Sequence, residues 1–375
     1  MTQPIRNVYI NGRFLTQPVT GVQRYAHEIV KAFDRFLESG QIDPERYQVT
    51  LLSPNRHLQH QLSLRRIQVK RFGQYSGHAW EQWELPFHAW NGVLFCPGNT
   101  APLMSYLFRR PVVVTIHSLA FRLFPEAYSR FFRVWYHFLT PRIIRFSRAV
   151  ITVSESERRT IEQLYPEASG KIRVIQNGGL PTEILNRRKE LFRRPVSFPE
   201  PYALFVGSLS EGKNLKAVLR AVEQVNQHQP LHLVVVGSTA RTFRESTLEI
   251  PPSLTGKVHF TDQVEDPSEL IPLYHHACCL VFPSFYEASS LPPIEAMACE
   301  CPVIASDIPA LRERCGEAAL YCPPEEPDSI ARAIQQIRTN PDLRQQLIRK
   351  GQQQATQFTW EASARQTFQI LEQVF

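Results

Sequence analysis

Short apolar runs recur along the chain with amphipathic stretches between them. In the first half they are VYI (8–10), VTLL (49–52), VLFC (93–96), VVVTI (112–116) and AVITV (149–153). In the second half they are YALFVG (202–207), LHLVVVG (231–237), KVHF (257–260), CCLVFP (278–283) and CPVIAS (301–306). The runs lack polar alternation, so each strand is covered on both faces, as in parallel sheets flanked by helices. The pattern predicts an α/β chain built twice. Between the halves, NRRKELFRRPVSFPEP (186–201) is charged, proline-bearing and without a clear apolar period, which marks a linker. The end, TWEASARQTFQILEQVF, reads as an amphipathic helix with an apolar stripe through Trp360, Phe368, Leu371 and Phe375.

A length of 375 residues suits two domains, and 43% hydrophobic with 21% charged residues is a globular composition. No apolar run is long enough to span a bilayer, and MTQPIRNVYI shows no charged-then-apolar leader, so a soluble, cytoplasmic protein is expected. Seven cysteines include no CxxC pair or zinc-type spacing, which favours reduced thiols. Without an Asp-x-Asp pair or an HExxH pattern, neither a metal nor another cofactor is expected. The net charge of +7 is uneven: residues 1–185 carry 23 Lys and Arg against 13 Asp and Glu, residues 186–375 carry 19 against 22. The basic half suggests an anionic partner, or simply a solvated arginine-rich surface. No recognition helix or aromatic RNA-binding signature accompanies it, so nucleic acid is not expected. The segment YSRFFRVWYHFLTPRIIRFSR interleaves Arg130, Arg133, Arg142, Arg145 and Arg148 with aromatic and aliphatic residues. It reads either as a surface helix touching the inner face of a membrane or as two core-facing helices separated at Pro141.

Four places could carry chemistry. In FYEASSLPPIEAMA (285–298), Ser289 and Ser290 suit an N-cap and Pro292 and Pro293 a first helical turn, so the amides of residues 288–291 would face an anion. Glu295 could then take the neutral hydroxyls of a ribose beside that anion, or merely offset the helix dipole. In VGSLSEGKNLKAVL (206–219), Lys213 follows a strand and glycine without completing a P-loop, and is either a phosphate counter-charge or a surface lysine. His117 ends the VVVTI strand, on the edge where α/β sheets bind ligands, or is structural there. Thr20 and Gly21 open a helix after Gly12, where backbone amides could approach a ligand.

Taken together, VGSLSEGKNL, VFPSFYEASSLPPIEAMACECPVIAS and LRERCGEAALYCPPEEPDSIARAI resemble the retaining nucleotide-sugar glycosyltransferases of family 4 (group 1), which have the GT-B fold. TGVQRYAHEIVKAF, HAWEQWELP, VVVTIHSLAFRLFPEAY and ITVSESERRTI resemble the bacterial polysaccharide members of that family. The resemblance implies two Rossmann-like domains facing a central cleft: an acceptor domain (1–185), a linker (186–201), a donor domain (202–355) and a C-terminal helix (356–375) returning to the first domain. It implies a metal-independent hexosyltransferase moving a sugar from a nucleotide-diphosphate sugar to a saccharide or lipid-linked saccharide. UDP-sugars lead as donor, with GDP-mannose second; the alternative is a nucleotide-sugar-binding protein with little or no turnover. Glu295 would hold the ribose, Glu287 the transferred sugar, and the amides around Ser289, Ser290 and Leu291 the diphosphate. Lys213 would face the distal phosphate, His117 the reactive side of the donor sugar, and Thr20 and Gly21 the diphosphate. Val264 falls in the segment whose backbone reads the base. The family's usual arginine is replaced by Ser208, its Gly-Phe-Gly by Ala288, Ser289 and Ser290, and its aspartate after the histidine by Ser118.

Overall fold

A computed structural model describes residues 5–237, 249–261, 264 and 266–375. The chain divides into two units, one of residues 1–119, 134–178 and 360–375, the other of residues 120–133 and 179–359. Among the described residues the first unit has β1 (Arg6–Asn11), β2 (Tyr47–Pro54), β3 (Gln68–Phe72), β4 (Gly92–Cys96), β5 (Val112–Ile116), β6 (Ala149–Thr152) and β7 (Ile172–Val174). All pairings are parallel, in the order β3-β2-β1-β4-β5-β6-β7. The second unit has β8 (Tyr202–Val206), β9 (His232–Val236), β10 (Val258–Thr261), β11 (Cys279–Phe282), β12 (Val303–Ser306) and β13 (Ala319–Cys322). These too are parallel, in the order β10-β9-β8-β11-β12-β13.

Each apolar run of the sequence forms a strand, for the reason its pattern implies. In the second unit Leu204, Val206, Leu280, Phe282, Val303 and Ala305 enter one core, while Ala203, Phe205, Cys279, Val281 and Ile304 enter another. Successive residues point to opposite faces, so burying both faces demands apolar residues at every position. The three strands that the pattern missed, β3, β7 and β13, are sheet edges, where partial exposure relaxes that demand. At the end of β9, Gly237 has φ of +150°, and a Cβ there would stand 1.9 Å from the carbonyl oxygen of Gly207. Only glycine lets the β8 and β9 ends approach so closely.

The expected linker belongs to the second unit. Its first residues continue the Thr182–Leu191 helix, and Leu191, Phe192, Val196 and Phe198 pack on the core that holds β8 and β11. Phe192 also stacks on His275 with ring centres 3.9 Å apart. After the 120–133 excursion, the chain enters the second unit again after Gly178 and leaves it before Trp360. The terminal helix, Trp360–Val374, returns to the first unit: Trp360, Phe368 and Leu371 are buried, and Arg35 reaches Glu361 at 2.7 Å. Phe375 departs from the expected stripe; it lies past the helix end, 41% exposed, with the Arg6 guanidinium 5.2 Å from its ring centre. The Arg130–Phe146 helix runs through Pro141 rather than breaking there, and buries Tyr136, Leu139, Thr140, Ile143 and Ile144 along one face.

Candidate functional site

In an open parallel sheet, ligands bind beyond the carboxyl ends of the strands where strand order reverses direction. That point lies between β8 and β11 in the second unit and between β1 and β4 in the first.

At the carboxyl end of β8 the chain turns through a one-turn 3-10 helix, Glu211–Lys213, and then Asn214, whose φ of +59° is left-handed. Asparagine tolerates that conformation, and its amide fixes the turn by donating to the carbonyls of Pro283 (3.2 Å) and Pro324 (2.7 Å). The amide of Phe285 donates to the Gly212 carbonyl at 3.0 Å. These bonds tie the lysine loop to the loop after β11 and bring together two residues singled out in the sequence: the Lys213 ammonium donates to the Glu287 carboxylate. Lys213 also lies 5.3 Å from the Phe282 ring centre. Ser208, in the expected arginine position, shares a 3.1 Å hydrogen bond with Ser210.

The expected cap differs. The helix runs Pro292–Ala298 with Leu291 as its N-cap, and the prolines fill its first positions. Neither Ser289 nor Ser290 caps it: the prolines at its first positions offer no N–H to accept from, and the buried Oγ atoms of Ser284, Ser289 and Ser290 have no hydrogen-bond partner among the described residues. Buried hydroxyls without partners are costly, and a polar ligand would satisfy them. Glu295 lies inside the helix at 1% exposure, its carboxylate accepting from the Tyr274 hydroxyl at 3.1 Å. A ribose would reach it only if its surroundings opened. Val264 turns its side chain onto the second unit's core; Asp262, Gln263 and Glu265 beside it lie outside the described residues.

Sequence reasoning missed Arg314, which is 2% exposed. Its Nε donates to the Ser290 carbonyl at 3.2 Å, and its guanidinium stands 4.1 Å from the Phe358 ring centre. Burial brings its pKa down to about 10, with Cys315 and Glu295 among the groups that pull it back up, so it stays charged near neutrality. A cation held on the Ser290 carbonyl fixes the peptide plane of the very loop expected to meet an anion. The LRERCGEAA segment offered no spacing that would have singled it out.

In the first unit, His117 is buried at the carboxyl end of β5. Its amide donates to the Asn99 side chain at 2.6 Å, its Nε2 is 2.7 Å from the Pro97 carbonyl, and its ring meets Tyr25 edge-on at 4.6 Å. A carbonyl can only accept, so Nε2 carries the proton. Burial lowers the pKa to about 4, partly offset by the Pro97 bond, and leaves a neutral imidazole at pH 7. Thr20 and Gly21 are exposed at the start of the Gly21–Glu38 helix; Thr20 forms a capping box with Gln23, and a Cβ on Gly21 would meet open space. Between β1 and β4 lies a buried network that the pattern did not reveal. Glu81 is fully buried, takes bonds from Asn11 (2.6 Å) and Thr100 (2.9 Å), pairs with Arg13 at 3.4 Å and stands 3.3 Å from His78. Burial opposes its charge, yet Arg13 and then His78 and Thr100 prevail and hold the carboxyl down to about 2. HAWEQWELP contained Glu81, but nothing local linked it to Arg13 across 68 positions of sequence.

Both switch points thus carry paired charged groups, and comparison with known proteins gives a consistent picture. Residues 186–354 match the model for glycosyl transferases group 1, and residues 19–178 that for glycosyltransferase family 4. The O-antigen chain mannosyltransferase RfbU of Salmonella typhimurium is 30% identical over 253 residues, 67% of each chain. O-antigen chain mannosyltransferase B of Escherichia coli is 32% identical over 44% of each. The fold is shared with sucrose-phosphate synthase from Thermosynechococcus elongatus (TM-score 0.72, 20% identity, 99% of both chains). It is shared also with Anabaena HepE, solved with UDP-glucose (TM-score 0.68, 18% identity, 99% and 100% of the chains). With both halves matched, and a relative 30% identical over two thirds of its length, the chain belongs to the family 4, group 1 glycosyltransferases, and its paired parallel α/β units are their GT-B fold.

Proposed function

We propose that this glycosyltransferase is a retaining, metal-independent hexosyltransferase that moves a sugar from a nucleotide-diphosphate sugar to a saccharide or lipid-linked saccharide in polysaccharide biosynthesis. The observation that carries the reading is the Lys213–Glu287 pair at the β8/β11 switch point, beside the unpartnered hydroxyls of Ser289 and Ser290. In this reading a diphosphate displaces Glu287 from Lys213, which stabilises the charge that grows as the bond from sugar C1 to phosphate oxygen breaks. Glu287, released, accepts from hydroxyls of the transferred sugar, while Glu295 takes the ribose once its surroundings open. The acceptor oxygen bonds to C1 on the face the diphosphate leaves, and its proton passes to the departing phosphate oxygen. His117 acts as a neutral imidazole, its Nδ1 an acceptor. The backbone at Val264 contacts the base, and Ser208 and the amides near Leu291 the diphosphate. Relatives named as mannosyltransferases support a mannosyl donor, which places GDP-mannose level with the UDP-sugars first expected. A lipid-linked acceptor would bring the enzyme to a membrane surface.

The test offers UDP-, GDP- and ADP-sugars with EDTA present, follows nucleoside diphosphate release, and assigns the anomeric configuration of the product by NMR. Release with retained configuration is expected. Inversion, or an EDTA loss that magnesium restores, overturns the mechanism. Tight nucleotide binding with no release from any donor and acceptor would instead favour a binding protein of the same fold, the reading that Ser208 and the missing glycines motivate.

A further inference from the structure

Residues 85–154 carry eight arginines, no lysine and a single acidic residue, Glu126. In the first unit this stretch also places large apolar side chains in solvent. Phe87, Trp90, Leu107, Val134, Phe138 and Phe146 are all exposed, Leu107 by 74% and Val134 by 71%. Aromatic rings in this stretch fall into close clusters. The Phe108 ring lies 5.8 Å from both Phe87 and Trp90, and Tyr106, two residues earlier, lies 6.1 Å from Phe146 with its hydroxyl 2.7 Å from that of Ser147. Arginines cover the rings: Arg110 is 3.8 Å from the Trp90 centre, Arg142 3.8 Å from Phe138 and Arg145 5.5 Å from Phe146. The Arg130–Phe146 helix buries its opposite face, so its exposed apolar residues do not serve the core.

We propose that this surface docks the protein on an anionic lipid bilayer. Aromatic rings suit the headgroup layer because one part of each is apolar while its surroundings stay wet, and arginine stems lie along apolar matter with their charges at the phosphates. A surface so short of carboxylates repels other cationic surfaces and is attracted by anionic lipid. Among the described residues no helix is long and apolar enough to cross a membrane. The inference gives the lipid-linked acceptor its place of encounter, but its test needs no donor and stands or fails apart from catalysis.

The full chain is floated with vesicles of phosphatidylcholine alone and of phosphatidylcholine with phosphatidylglycerol. Binding to the anionic vesicles alone is expected, falling as salt shortens the screening length from about 10 Å at 0.1 M. Arg142→Glu with Arg145→Glu should lower partitioning more than about tenfold, and Phe87→Ala with Trp90→Ala should lower it at every salt concentration. If the aromatic variant misfolds by circular dichroism, the exposed arginine pair still decides. Absence of flotation at low salt, or variants that float as well as the parent, overturns the proposal. So does duplex DNA binding as tight as vesicle binding and equally sensitive to the arginine pair, or a dimer in sedimentation that the Phe87 and Trp90 substitutions dissolve.

Discussion

Lys213 and Glu287 pair with each other, so in the proposed mechanism a diphosphate competes for the ammonium and gains most when it carries its full leaving charge. Lys213→Ala should therefore lower kcat about 100-fold or more while changing nucleoside diphosphate affinity much less. Steady-state kinetics beside calorimetry checks this, and equal losses in both would make Lys213 a binding residue. His117 contributes to stability with a definite sign. Its folded pKa near 4 lies below the unfolded value near 6.5, so between those values the unfolded chain binds a proton that the folded chain refuses. Stability should fall as the pH drops from about 6.5 to 4, by up to about 3 kcal/mol from this residue. His27, whose pKa burial also lowers to about 4, adds to the same slope. Urea titrations across that range should show a shallower slope for His117→Gln, whose amide can still donate to Pro97; an unchanged slope would mean that the imidazole takes up its proton without leaving its site.

At the scale of elements, Arg314 holds the loop proposed to meet an anion through its bond to the Ser290 carbonyl. Arg314→Met keeps the bulk against Phe358 but removes the donor to the Ser290 carbonyl and a buried cation that Glu295 stabilises. The expected cost is about 3 kcal/mol of stability, because the groups left behind are buried. Nucleotide affinity should fall with it, and Arg314→Lys should restore the charge without the planar fork. Thermal unfolding and calorimetry on both variants measure the two effects; a destabilised Arg314→Met protein of unchanged affinity would confine the residue to folding. This role was invisible in LRERCGEAALYC, because it depends on Ser290, 24 residues away, meeting Arg314 only after β12 and its following helix have formed.

At the scale of the whole chain, the terminal helix closes the first unit with residues separated from the rest of it by residues 179–359 of the second unit. Phe33 and Phe368 meet edge-on at 5.4 Å, as do Tyr47 and Phe368 at 5.2 Å. Phe368→Ala should destabilise the first unit by about 3–5 kcal/mol. It should separate two transitions in urea, the later one close to the parent; a single transition shifted as a whole would show that the units unfold together. The sequence by itself determined what rests on local period and backbone chemistry. Continuous apolar runs mark strands buried on two faces, and Gly, Ser, Pro and Glu spacing marks the loop and helix of residues 285–298. It also placed Lys213 and Glu287 on loops after apolar strands, but could not pair them, because their contact depends on β8 and β11 being neighbours. Tertiary structure alone decided the strand order, hence the two switch points, the Arg13–Glu81 network, the hold of Arg314 on Ser290 and the segment 186–201 joining a core instead of linking two. Three of the four edge strands escaped the pattern because half of what buries a central strand is missing there, while buried ion pairs escaped it because charge carries no period.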